Sequence, residues 1–381
     1  MLEQLRARGV AGCVYEPEGY RIRKGDRVAF LDNAFAEYCH ASASHRPNIL
    51  ANTIALLTEP QNEADAPFGQ IRDRLICVVR DRAYFSLSEL DMQIHGRGTL
   101  AAPLCEPLTD WYIRTLVIDA PTQMMLVNDS MVAPWGHSTD ELFAIGLENL
   151  RRASEPDFEE DARVFRGRWN DDYDASRVLA PAVFESLHLD GDPVVAIPNR
   201  RNLLVAGSND IDALRRMLEQ AEHLVRTEPR PQNPSPLLVR PDGVSDFHPD
   251  PTSPVFHEVQ RAQRLSALLY YQEQAEKLGR LHASQGKSIH VSPYTLMKHD
   301  GGLYCSYAEW HKGANGLVPV ADEIRFIDPS QPEGKRCVAQ VPWPRVAKLV
   351  PDLLLDANLF PVLHYTCGFP SDAQLEQLAR G

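Results

Sequence analysis

At 381 residues, 44% hydrophobic and 24% charged, the chain has an ordinary globular composition, long enough for two domains and a sizeable core without disulfides or metals. Its net charge of −13 runs against the basic surface that phosphate backbones and anionic membranes require, which counts against nucleic-acid and membrane binding. No run of about 18 apolar residues predicts a membrane span, and the charged opening Met1–Val10 holds no signal-peptide stretch, so a cytoplasmic setting is expected.

In chain order, Tyr20–Ile22 predicts a short strand. Phe30, Leu31, Ala34, Phe35 and Tyr38 recur at helical spacing, and Ile49, Leu50, Ile54 and Leu57 do so again after Pro47. The polar stretch Glu59–Gly69, with two prolines, predicts a loop. Leu75–Val79 follows as an apolar strand, and Trp111–Asp119 with Gln123–Val127 predicts a hairpin turning at Asp119–Thr122. Ser138-Thr139-Asp140-Glu141 is a capping box, in which the serine oxygen takes one orphan N–H and the glutamate another. Leu142, Phe143, Leu147 and Leu150 stripe the helix that follows, and Arg151 and Arg152 suit its negative end.

Pro193–Ile197 and Leu203–Ala206 predict two strands joined by a tight turn at Asn199–Asn202. A helix carrying Ile211, Leu214, Met217, Leu218, Ala221, Leu224 and Val225 comes next. Eight prolines between Pro229 and Pro254 forbid a helix there and predict a linker, with Leu237–Val239 as a last strand of the first domain. Val255 to Ser284 is the longest helical pattern. Ile289–Leu296, Leu303–Tyr307, Glu323–Ile327 and Cys337–Val341 are then strands, with a glycine turn at Gly301-Gly302. Strands and helices cluster without regular alternation, so the expected class is α+β: a mixed sheet-and-helix domain over 1–228, a proline-rich linker over 229–254, and a long helix with a smaller β-rich module over 255–381.

The seven cysteines are scattered, with no Cys-x-x-Cys pair, so zinc-ribbon and thioredoxin motifs are absent and a reducing compartment fits. No nucleophile elbow and no His-Glu-x-x-His pair occurs. Gly279–Ser288 lacks the phosphate-loop spacing, and Gly286 is read there as a helix C-cap.

The run Asn170-Asp171-Asp172-Tyr173-Asp174-Ala175-Ser176-Arg177-Val178-Leu179 resembles the signature of the uncharacterised YtpQ-like family of bacterial proteins. Val78-Val79-Arg80, Glu148-Asn149-Leu150-Arg151, Val195-Ala196-Ile197-Pro198 and Pro236-Leu237-Leu238 fall where that family has corresponding segments. The resemblance covers residues 15–250 or so. It implies a shared α+β fold and no reaction. Where the family's turn after Ala-Ile-Pro often carries an acid, this chain has Arg200 and Arg201.

Asp172, Tyr173, Asp174, Ser176 and Arg177 are the candidate catalytic residues. Two carboxylates can share a proton or a metal, and arginine can clamp an anion. In the structural alternative, Asp172 or Asp174 caps a helix starting near Ala175, and Arg177 pairs with an acid three or five positions earlier. Asp246, His248 and Asp250 alternate on one face of an extended segment and are metal-ligand candidates. The aromatics Tyr304, Tyr307, Trp310, Trp343 and Tyr365 serve as core or as an interaction face. The expectation is a non-catalytic binding or adaptor protein with a protein partner and no cofactor. The alternative is an enzyme of unknown reaction using Asp172, Asp174 and Arg177, with Tyr173 or Ser176 assisting.

Overall fold

The computed structural model describes residues 2–17, 20–25, 27–58, 66–96, 101–120, 123–228, 231–299 and 303–380. The expected turns at 121–122 and 301–302, Pro229 and the loop residues 59–65 lie outside them. The fold is α+β. It forms two compact units, Met1–Arg80 with Ala102–Gln232 and Leu237–Ser245, and Asp81–Ala101 with Asn233–Pro236 and Asp246–Gly381.

The first unit begins with an antiparallel three-stranded sheet, Cys13–Glu16, Arg21–Lys24 and Arg27–Phe30. Its inner face carries Ile22 and Ala29, which join Leu5, Ile54 and Leu57 in a small core of their own. Leu5 comes from the helix Leu2–Ala7, and Ile54 and Leu57 from the helix Arg46–Thr58.

A larger core lies between two further sheets and their helices. Tyr112–Ala120 pairs with Leu75–Asp81, Cys105–Pro107 and Gln123–Leu126. A six-stranded sheet runs in the order Gly243–Asp246, Leu237–Arg240, Pro193–Asn199, Asn202–Gly207, Val164–Gly167 and Phe158–Asp161. Every residue of Leu75–Asp81 and of Asn202–Gly207 is buried, which is why Leu75–Val79 and Leu203–Ala206 read as unbroken apolar runs instead of alternating ones. The capping box forms as expected at the helix Thr139–Arg152, with the Glu141 N–H donating to Ser138 Oγ at 3.3 Å and the Ser138 N–H to Glu141 Oε2 at 2.9 Å. That helix lies directly on the strand below. A Cβ on Gly146 would sit 2.9 Å from the Cys77 backbone nitrogen, so no larger residue fits there.

In the second unit the 29-residue helix Phe256–Ser284 packs against the helix Arg82–Ile94, and Lys277 Nζ bonds Asp91 Oδ2 at 2.6 Å. Gly286, at φ +65°, ends the long helix, with the Lys287 N–H donating to the His282 carbonyl at 2.9 Å. Two four-stranded sheets complete the unit. In the strand Tyr304–His311 burial alternates and turns Ser306, Ala308 and Trp310 inward. Trp310 packs on Phe326 and donates its indole N–H to the Gly368 carbonyl at 3.0 Å, so it is a core residue and not part of an interaction face.

The structure differs from the sequence reading in three places. In the 229–254 stretch the expected strand forms at Leu237–Arg240, but the stretch also contributes a second strand, Gly243–Asp246, and Gln232, Asn233 and Ser235 are buried. Its prolines spare 237–240 and 243–246, where ladder N–H groups are needed. Phe30, read at helical spacing, instead ends the strand Arg27–Phe30, while Phe35 sits on the helix Asp32–His40 as read; the two are exposed at 50% and 56%. Finally, Arg82–Ile94 is a helix capped by Asp81, whose buried stripe of Ala83, Leu87 and Leu90 is too sparse to stand out in sequence. Among the described residues, no helix is long and apolar enough to cross a membrane.

Candidate functional site

The residues 170–177 fold into a left-handed kink and then a 3₁₀ turn over Asp174–Leu179. Asn170 (φ +52°) and Asp172 (φ +66°) take the left-handed conformation that short polar side chains tolerate best. The kink aims two N–H groups at one carboxylate. Asn170 donates to Asp174 Oδ1 at 3.2 Å and Asp171 donates to Asp174 Oδ2 at 3.3 Å. Asp174 therefore serves residues upstream of it, and neither it nor Asp172 caps the turn as expected. Burial pushes its carboxyl up to about 6, and Asp171 adds to the rise while the two N–H groups and Arg177 oppose it.

Arg177 has no exposed surface. Its guanidinium forks onto Asp171, Nη1 to Oδ1 at 2.8 Å and Nη2 to Oδ2 at 2.6 Å, and Nη2 also donates to the Ala153 carbonyl at 2.9 Å. The Trp169 ring lies 4.2 Å from it. The partner acid is six positions earlier, not three or five. Only the kink brings it within reach. Gly167 makes room for Trp169, because a Cβ there would meet the ring at 2.3 Å.

Ser176 Oγ accepts the Val79 N–H at 3.1 Å and so satisfies a donor of the buried strand Leu75–Asp81. Among the described residues no histidine or carboxylate bonds to it, so nothing is placed to activate it as a nucleophile. Burial, with Asp119 beside it, holds the Tyr173 hydroxyl far above its ordinary range. Asp172 points to the turn between the two central strands, where Arg201 Nε reaches Oδ1 at 2.5 Å and Nη2 reaches Oδ2 at 3.2 Å. The Arg200 carbonyl accepts the Ala175 N–H at 3.3 Å, and Asn199 Oδ1 accepts from the Arg201 N–H and the Asn202 amide, both at 2.9 Å. The cleft beside Asp172 and Arg201 measures about 40 Å³, room for one or two waters and not for a metabolite.

Asp246, His248 and Asp250 do not converge. His248 is exposed, and Asp250 turns to the Thr252 N–H (2.8 Å) and hydroxyl (2.6 Å), which hold its carboxyl below the ordinary range. Among the described residues no group of three or more His, Cys, Asp or Glu is placed to hold a metal.

Sequence reasoning passed over Asp171, the anchor of Arg177, because its partner lies outside helical spacing. It also passed over Asp81, whose buried carboxylate accepts from the Ala83 N–H at 3.0 Å, the Asn233 N–H at 3.2 Å and the Tyr270 hydroxyl. Burial pushes Asp81 up to about 6, a rise these donors partly offset. No protein-family model, no curated protein and no solved structure matches the chain.

Proposed function

We propose that the chain is a non-catalytic binding or adaptor protein, and that it meets a protein partner through its N-terminal three-stranded sheet and the helix that follows. The observation that carries this reading is exposed apolar surface. Val14, Tyr15, Phe30 and Phe35 all lie within residues 13–35, and each is more than a third exposed. Tyr20 links two of them edge to face, 6.4 Å from Tyr15 and 6.1 Å from Phe35. Tyr15, Tyr20 and Phe35 thus form one aromatic group, while the strand register puts Val14 and Phe30 on the sheet's other face; grouped exposed aromatics are a mark of interaction surfaces.

A cytoplasmic setting belongs to the same proposal, supported by seven cysteines that are all free. Kinship with YtpQ-like proteins is also part of it. The burial of Arg177 on Asp171 gives the signature run a folding role that needs no reaction.

The competing enzyme reading draws on one observation, the Asp174 carboxyl at about 6. Against it, Arg177, Ser176 and Asp174 are each engaged in bonds that hold the fold, and the neighbouring cleft admits no substrate.

Affinity capture from native lysate, followed by reconstitution of the captured protein in pure form, tests the proposal. The expected result is a 1:1 complex that Tyr15→Ser with Phe35→Ser weakens by about tenfold or more, with the melting temperature unchanged. A complex indifferent to both substitutions would place the partner elsewhere. Failure to reconstitute any complex would remove the adaptor reading.

A further inference from the structure

A cleft of about 440 Å³ opens in the first unit between the helices Leu2–Ala7, Asp32–His40 and Arg46–Thr58, within the size range of small-molecule sites. Gln4, Arg8, Tyr38 and Arg46 supply its polar wall, Pro47 and Leu50 part of its apolar wall, and among the described residues no lining residue is acidic. We propose that this cleft binds a small organic oxyanion, its phosphate or carboxylate held by Arg8 and Arg46 and its body resting on Pro47 and Leu50.

Arg46 carries most of the case. It occupies the first position of its helix, where the dipole opposes a cation, and no acid in the first turn compensates it. Its Nε donates to the Tyr38 carbonyl at 3.1 Å, and the guanidinium lies over the Tyr38 ring at 5.0 Å. Those two contacts fix the side chain and leave both terminal nitrogens without a protein partner among the described residues. Two free donors on a planar fork, held in place before a ligand arrives, suit a carboxylate or phosphate.

Arg8 faces the same cleft and forms no ion pair or side-chain hydrogen bond among the described residues. It suits the negative end of the helix Leu2–Ala7, so its placement costs nothing, whereas that of Arg46 does. The local charge also departs from the chain average. Residues 1–58 hold seven Lys or Arg against six Asp or Glu, and the rest of the chain holds 32 against 46. An anion approaching this region therefore does not meet the repulsion expected over the remaining surface.

Titration of the intact chain with phenyl phosphate, benzoate and neutral benzyl alcohol, followed by amide NMR shifts, tests the site. The expected result is saturable shifts at Gln4, Arg8, Arg46 and Leu50 with the anions and none with the alcohol. A preference for phenyl phosphate over benzoate identifies a phosphate-bearing ligand, and equal or reversed affinity a carboxylate. Arg8→Gln, which removes no bond of the fold, should weaken binding by about tenfold with an unchanged melting curve. Arg46→Gln should weaken it at least as much. Absence of saturable shifts with either anion up to about 10 mM, shifts centred on other residues, or affinity unaltered by Arg8→Gln would each overturn the proposal.

Discussion

Arg177 and Arg46 both lie over an aromatic ring, 4.2 Å from Trp169 and 5.0 Å from Tyr38, yet their remaining donors go to different ends. Arg177 gives its terminal nitrogens to Asp171 and the Ala153 carbonyl and is sealed from solvent. Arg46 spends only Nε on the protein and turns the rest of its fork to a cleft. Density of charged residues in sequence marked the first site, while the second lies in an unremarked stretch. A buried guanidinium needs acids close by to offset its desolvation, so charge density can report a folding requirement as readily as a chemical one. A guanidinium kept for a ligand needs the reverse, a neighbourhood short of protein partners.

The comparison breaks most visibly at Arg177. Replacing it with Met should cost about 2 kcal/mol or more, because it leaves the buried Ala153 carbonyl short of a donor and removes the charged fork onto the partly exposed Asp171, as measured by denaturant unfolding. Arg177→Lys should recover only part, since an ammonium cannot fork onto Asp171 or lie flat on Trp169. A loss below about 0.5 kcal/mol would show that the site does not hold the fold. Gly167→Ala comes next, at about 1–3 kcal/mol, by forcing the Trp169 ring off Arg177. Its signature is a change in tryptophan fluorescence together with lowered stability.

The pH dependence of stability sharpens the same contrast. Asp174 sits at about 6 in the folded chain against an ordinary 3.8. Between those values the folded state keeps a proton that the unfolded state has released, so its contribution falls as pH rises through the window and is level outside it. In Asp174→Asn the stability lost between pH 4 and 6 should shrink by an amount on the order of 1 kcal/mol or more. An unchanged slope would mean that Asp174 is not held neutral by burial. At the small end, Arg8→Gln should alter stability by less than about 0.5 kcal/mol, which separates a ligand-facing arginine from a folding one.

Much of the architecture was legible from local signals. Leu75–Asp81, Pro193–Asn199 and Asn202–Gly207 announced themselves as apolar runs, and Ser138 with Glu141 as a capping box. The hairpin Phe158–Asp161 with Val164–Gly167 did not, because its turn residues Ala162 and Arg163 adopt φ +49° and +66° without the glycine or asparagine that usually signals such a turn. The candidate site was legible as a cluster but not as a geometry. Fixing Arg177 on Asp171 depends on two left-handed residues, a carbonyl 24 positions away and a ring that only Gly167 can admit. The exposure of Phe30 and Phe35 was hidden for a related reason: apolar spacing reports a face, and tertiary packing decides whether anything covers it.

Hydrogen–deuterium exchange of the intact chain, alone and with its reconstituted partner, tests most directly where the protein makes its contact. The account predicts added protection across residues 13–35 and unchanged exchange across residues 170–202. Protection concentrated at 170–202, with none at 13–35, would contradict it and return the acid–arginine cluster to the centre of function.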